Sequence, residues 1–237
     1  MIEEALRKHP AYGHKRLAKH LKLNKKRILR VMKIYDIKPY RRRGRKPQSK
    51  AVGTTDYPNL LLANPSSRIN HIWASDFTYF WFQGHWLYLA TVIDLYTRRI
   101  VGLAISRRHD RFLVIQALLS ALHHHPRPEI IHSDHGREYC SRDYQNLLKT
   151  VAIVPSMAAK GCPWENGYQE SFYSQFKIEL GDPNRFGSPG ELTAAVYQQI
   201  YYYNQQRIHS SLDMAPNAFA RQYDILKVIN RTVETLS

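Results

Sequence analysis

Trp73-Ala74-Ser75-Asp76-Phe77-Thr78-Tyr79 is an apolar and aromatic stretch with a carboxylate at its centre. Strand interiors disfavour Asp, so an acid placed there among apolar neighbours asks for a reason. The strand reading extends from Trp73 to Phe82. Gly84 follows at hairpin spacing, His85 to Tyr96 reads as a second strand, and Arg99 to Ile105 as a third. Further on, Phe112, Ile115, Leu118, Leu119 and Leu122 carry helical periodicity through 111–124. Residues 129–133 and 153–156 read as short buried strands, and 143–152, 164–180 and 189–206 as helices. Three strands joined by short turns, then two alternating with helices, predict an α/β fold: a mixed sheet with helices on its faces.

Two more carboxylates stand out against this frame. Asp134 follows the apolar pair Ile130-Ile131 in His132-Ser133-Asp134-His135-Gly136. The carboxyl end of a strand in an open α/β sheet is where ligands bind. Glu170 lies on a helix whose apolar face is Phe172, Phe176 and Leu180; it points away from that face and shares its own side with Lys177. Acids from a strand, a strand end and a helix can meet at one edge of a sheet. Oxygen ligands suit Mg2+, and two such ions about 3.5–4 Å apart clamp the attacking and leaving oxygens of a phosphoryl displacement. Taken singly, these are also three of 19 acids, and an ordinary surface role stays open for each.

The charge is uneven. The chain has 237 residues and a formal net charge of +16. Residues 1–50 hold 18 Lys and Arg against 3 acids, whereas the rest of the chain holds 17 against 16. The densest run is Arg41-Arg42-Arg43-Gly44-Arg45-Lys46. Such a block binds polyanions through counterion release, and nucleic acid is the partner it points to. It carries no Trp or Phe to insert into a membrane. Tyr12 to Leu21 and Lys25 to Tyr35 read as short basic helices, the second capped by Asn24 with Ile28, Val31, Met32 and Tyr35 facing inward. Two short helices with a tight joint suggest a helix-turn-helix over 1–37, with Lys25, Lys26 and Arg27 at the start of its second helix. A basic, Pro-rich linker over 38–67, a core over 68–220 and a tail over 221–237 complete the expected organisation.

A hydrophobic content of 43% excludes global disorder. No apolar run approaches the roughly 18 residues of a membrane span, and Met1-Ile2-Glu3-Glu4 does not open a secretory signal. The two cysteines, Cys140 and Cys162, do not suggest a disulfide framework, so a cytoplasmic chain is expected. His123-His124-His125 sits at a helix end, where polar cationic groups are ordinary. Asp94 is expected to hydrogen-bond structurally, and Trp81 with Trp86 to form a hairpin pair.

In its acid motifs the sequence resembles the insertion-sequence transposases of the retroviral-integrase-like superfamily. Trp73 to Tyr79 is similar to their first acid motif, Val92 to Gly102 to the strand pair after it, and His132 to Tyr139 to the second acid motif. Pro163-Trp164-Glu165-Asn166-Gly167-Tyr168-Gln169-Glu170-Ser171-Phe172 is similar to the third, with 35 residues between Asp134 and Glu170. Tyr203-Asn204, Arg207, His209, Ser211, Leu212, Pro216 and Phe219 resemble the motif that closes the domain, and Tyr12-Gly13 with Arg16 resembles the start of the preceding helix-turn-helix. The resemblance implies a ribonuclease H-like five-stranded sheet flanked by helices, preceded by a small all-α segment. It implies Asp76, Asp134 and Glu170 as catalytic triad and metal ligands, with Mg2+ preferred and Mn2+ as a substitute. It further implies cleavage at element ends, strand transfer into double-stranded target DNA, and Lys177 near DNA. Asn166, one turn before Glu170, is expected to support that acid. No upstream Cys accompanies His9, His14 and His20, so no structural zinc is expected. Joining two ends calls for a dimer or larger synaptic complex, and related elements supply an upstream-frame partner segment. A non-catalytic DNA-binding regulator of transposition is the alternative reading, and a nuclease acting on RNA–DNA hybrids is a third.

Overall fold

The structure, a computed structural model, describes residues 1–40, 57–62, 64–159, 163–223 and 225. Strands β1 (Ile72–Phe82), β2 (His85–Asp94), β3 (Ile100–Ser106), β4 (Ile130–Ser133) and β5 (Val154–Met157) form one sheet in the order β3-β2-β1-β4-β5. β1, β2 and β3 run antiparallel in sequence, whereas β4 pairs parallel to β1 and β5 parallel to β4. This is the mixed five-stranded sheet expected from the chain.

Local chemistry fixes each piece. Gln83 and Gly84 join β1 to β2 with φ of 43° and 83°. Positive φ at both central positions is what a two-residue hairpin turn needs to match the strand twist. The turn sets Phe82 opposite His85 and Trp81 opposite Trp86, whose rings meet edge to face at 4.8 Å. β2 stops at Asp94 because its carboxylate turns the chain. One oxygen accepts from the Tyr96 and Thr97 amides and the Thr97 hydroxyl, and the other accepts from the Asn70 amide. Helix α4 (Arg111–His124) starts where Asp110 caps it, accepting from the Phe112 and Leu113 amides.

Helix α4 covers one sheet face. Trp73, Val92, Leu113, Val114, Ala117 and Ile131 are all buried in that core. Gly102 of β3 allows the close approach: a Cβ there would lie 2.4 Å from the Ala117 carbonyl oxygen. Helix α5 (Arg142–Thr150) adds Tyr144 and Leu148 to the same interior.

At the N-terminus lie α1 (Ile2–Lys8), α2 (His14–His20) and α3 (Lys25–Ile34). Asn24 caps α3 by accepting from the Lys26 amide at 2.8 Å. Helix α2 begins two residues later than the sequence suggested. Tyr12 is instead a core residue, fully buried beside Leu17 and Ile28, and its hydroxyl accepts from the Ile208 amide. Helix α6 (Gly167–Leu180) also starts late, after a 3-10 turn over Pro163–Asn166, and α7 spans Pro189–Gln205.

The described residues gather into two compact units. One holds the sheet, through residue 173, together with 182–194; the other joins 1–40 to 174–181 and 195–223. The division differs from boundaries drawn along the sequence. The N-terminal helices share their interior with chain from beyond residue 194: His9 bonds the Tyr202 hydroxyl, and Lys19 pairs with Asp213. Within the same unit Arg207 and Glu179 form an ion pair whose side chains are only 2% and 3% exposed. Most of the expected linker, and the tail beyond residue 223 apart from residue 225, lie outside the described residues.

Candidate active site

Asp76 sits on the central strand, opposite Thr91 of β2. On its other side β1 pairs with β4 through Ile72–Ile130, Trp73–Ile131 and Ala74–His132. Asp76 lies two residues past the last paired position of β1, and Asp134 two residues past that of β4. Asp134 heads the loop after β4, where its carboxylate accepts from the Gly136 amide at 3.0 Å. Glu170 projects from the first turn of α6 and is exposed.

Electrostatics ties the three together. Burial first, then the Asp134 charge, push the Asp76 carboxyl up to about 8; the Phe77 amide opposes this, and Glu170 adds a further upward push. Asp134 is also raised, chiefly by burial, with Glu138 adding to it while the Gly136 amide, His135 and His109 pull the other way. Like charges crowded in a half-buried place disfavour ionisation. His109 stands 3.2 Å from Glu138 and against the Phe77 ring, so a basic group borders the acids.

Two residues without a role in the sequence reading lock this arrangement. Gln169 is fully buried; its amide donates to the Ala74 carbonyl at 2.7 Å and the Thr91 carbonyl at 3.2 Å, and accepts from the Thr91 hydroxyl. Tyr173 donates to the Asp76 carbonyl at 2.7 Å, and its hydroxyl oxygen lies 2.8 Å from that of Thr91. Apolar contact between helix and sheet is non-directional, whereas these bonds fix α6 against β1 and β2 at the level of Asp76. The available signal was a Gln and a Tyr, three residues before the helix's inward Phe172 and Phe176 respectively, on a face that otherwise packs apolar groups.

The other expected residues divide. Lys25, Lys26 and Arg27 are exposed on the first turn of α3, and Lys177 is half-buried on α6. Arg41, Arg42, Arg43, Arg45 and Lys46 lie outside the described residues, as does Cys162. Asn166 is buried, but its amide nitrogen and oxygen have no hydrogen-bond partner. It sits on the 3-10 turn just ahead of α6, four residues before Glu170.

As a donor set for a metal the acids are chemically apt: three carboxylates, whose mutual repulsion a cation relieves. As they stand, no three of the His, Cys, Asp and Glu side chains among the described residues are gathered closely enough to hold an ion.

Family models described as integrase core domain match residues 66–163 and 151–216. The transposase for insertion sequence element IS904 of Lactococcus lactis is 34% identical over 220 residues, covering 85% of this chain and 84% of that protein. The chain belongs to the insertion-sequence transposases with an integrase core. This family membership makes it a DNA transposase, a polynucleotidyl transferase by class. Transposase InsF for insertion sequence IS3A of Escherichia coli is 42% identical over 144 residues, 60% of this chain but only 50% of InsF. The fold also matches a chain of the simian T-cell lymphotropic virus intasome, at a TM-score of 0.57 and 18% identity over 91% of this chain and 73% of that one. A BIV integrase catalytic core matches at 0.52 and 17%, over 67% and 99%. These likenesses establish the integrase-type, ribonuclease H-like fold. Among the described residues no helix is long and apolar enough to cross a membrane.

Proposed function

We propose that this transposase frees the 3′ ends of its element and joins them to target DNA by metal-dependent phosphoryl transfer, with Asp76, Asp134 and Glu170 as the catalytic carboxylates. One observation carries the reading: Asp134 and Glu170 both push Asp76 toward its protonated form, so acids from a strand, a loop and a helix share one electrostatic neighbourhood. A metal-free cluster of this kind is unfavourable when ionised, which is the condition a divalent cation relieves. The oxygen-only donors suit Mg2+, with Mn2+ as a substitute. Two bound ions would supply acidification of the attacking hydroxyl and neutralisation of the leaving oxygen.

The chain's own residues set the geometry. Asp76 would be the fixed ligand, because its backbone is bonded into the sheet and held again by Tyr173. Asp134 is fixed by its loop through the Gly136 amide. Glu170, exposed on the first turn of α6, would complete the donor set. In cleavage, a water oxygen bonds to the phosphorus as the bond to the 3′ oxygen breaks; the water gives a proton to solvent, and solvent returns one to the departing oxygen, leaving a 3′-hydroxyl. In joining, that 3′-hydroxyl attacks a target phosphodiester; one P–O bond forms, one breaks, and no protein nucleophile is needed. Lys25, Lys26 and Arg27, with Arg41, Arg42, Arg43, Arg45 and Lys46, neutralise phosphates of double-stranded DNA, and Lys177 follows Glu170 by two helical turns toward the same partner. Two ends require two active sites, hence a homodimer or larger synaptic complex in the cytoplasm, joined by an upstream-frame segment.

Strand transfer of labelled element-end DNA in Mg2+ tests this. The wild type should give joined product, and Asp134→Asn should give none while still binding DNA. Joining by Asp134→Asn refutes the triad. No joining by the wild type, with or without the upstream segment, favours the non-catalytic regulator.

A further inference from the structure

The motif Tyr12-Gly13 with Arg16 finds no use in the chemistry above. Tyr12 is spent on the core, but Arg16 is not. Its guanidinium is half-buried, 5.9 Å over the Tyr12 ring. One terminal nitrogen makes a long contact of 3.4 Å to the Ser210 hydroxyl, and Nε is buried with no hydrogen-bond partner. The nearest counter-charge is already taken: Glu179 is bonded by Arg207 and by Gln199. Burial, then the Arg207 charge, pull the Arg16 pKa down despite an opposing push from Glu179, whose oxygens are bonded elsewhere. A guanidinium carries five donors and cannot shed its charge in water, so a buried one without a carboxylate is costly unless an anion arrives.

The space for that anion is present. Arg16 lines a cavity of about 500 Å3 together with His14, Lys15, Ser174, Gln175 and Ser210, and none of its lining residues is acidic. Every polar side chain in it can donate. Gln175 already accepts from Arg207 through its oxygen, leaving its amide nitrogen as a donor. All these residues belong to the unit built on the N-terminal helices. The rim includes Tyr40, and the next residues in the chain are Arg41-Arg42-Arg43.

We propose that this cavity binds a backbone phosphate of DNA, anchored by the Arg16 guanidinium and neutralised further by Lys15, with Ser174 and Ser210 donating to its oxygens. The planar fork of Arg suits a phosphate with two free oxygens. The site is separate from α3, whose Lys25, Lys26 and Arg27 do not line it. It gives the DNA a second point of attachment on the same unit and so fixes its register without reading bases. The inference rests on the proposed function for the identity of the polyanion. An isolated phosphate offers the same chemistry, and the test separates the two.

The test uses the full chain without metal, so no reaction intervenes. Duplex affinity is measured by fluorescence anisotropy across a salt series for the wild type, Arg16→Gln, Arg16→Lys and Lys15→Gln. Losing one phosphate contact lowers the slope of log affinity against log salt by about 1. Arg16→Gln should do so, with roughly tenfold weaker binding near 0.1 M salt, and Arg16→Lys should restore the slope. Lys15 is exposed, so Lys15→Gln folds whatever Arg16 does for stability, and it should lower the slope as well. In a thermal melt, inorganic phosphate should raise the midpoint of the wild type but not that of Arg16→Gln. Unchanged slopes in both Arg16→Gln and Lys15→Gln overturn the proposal. A phosphate-dependent melt with unchanged slopes overturns the DNA assignment and leaves a free-anion site. A wild type that binds no duplex contradicts the proposed function instead, and the melt then decides the cavity alone.

Discussion

Replacing Asp76 with Asn should stabilise the metal-free protein at alkaline pH, although the change abolishes its proposed chemistry. In the fold the Asp76 carboxyl is pushed from 3.8 up to about 8. Each unit corresponds to about 1.4 kcal/mol, so a ceiling of roughly 6 kcal/mol separates the protonated from the ionised fold. Asp76 is partly open to water, and Asp134 gives up charge as the cluster ionises, so about 2 kcal/mol is the reasonable expectation. The folded chain holds this proton more tightly than the unfolded chain does. Its contribution to stability is therefore full below about pH 4 and is lost as the pH rises to about 8. Asp76→Asn removes that dependence. At about 2–4 °C per kcal/mol for a chain of this size, the variant should melt roughly 4–8 °C above the wild type near pH 8, and level with it near pH 4. Tryptophan fluorescence melts in EDTA read this directly. Adding Mg2+ should then raise the wild type and leave Asp76→Asn unmoved. A variant less stable than the wild type at both ends of the range, or a gap that ignores pH, would refute the claim that like charges crowd Asp76.

Tyr173→Phe deletes only the hydroxyl that donates to the Asp76 carbonyl, and urea unfolding should show a loss of about 1–2 kcal/mol. Because that hydroxyl also meets Thr91, the pair Tyr173→Phe with Thr91→Val should lose less than the sum of the two; additive losses would show that the hydroxyls act independently. Gly102→Ala puts a methyl carbon against the α4 backbone at Ala117 and Ala121, so a loss of about 3 kcal/mol or more is expected in the same assay. A near-neutral Gly102→Ala would mean that α4 is not seated on β3 as described.

Much of the sheet was legible because its determinants are local. The aromatic stretch around Asp76, the turn at Gly84 and the apolar periodicity of 111–124 each act within a few residues, and α4 has the bounds its periodicity indicated. Asp76 and Asp134 were legible as anomalies: a carboxylate mid-strand and another at a strand end. Their registration depends on β1 pairing with β4 across more than fifty residues, which periodicity does not encode. Gln169 and Tyr173 escaped notice for the same reason, since their partners are main-chain atoms of strands some 80–100 residues away. The grouping of the N-terminal helices with residues 195–223 was invisible: an Ala5–Leu17–Ile28 stripe looks like a self-sufficient small domain until Ile208 is found against it.

That grouping has a consequence for how the protein is made. The chain leaves the ribosome from its N-terminus at about 5–20 residues per second. Residues 1–40 are finished early, yet part of their interior comes from residues 195–223. They wait roughly 10–40 seconds for those partners to be synthesised. The sheet and its acids complete in the meantime. A polypeptide cut short by premature termination near residue 195 therefore carries the sheet together with basic helices that lack their packing partners, and helices without partners open readily and are exposed to proteases.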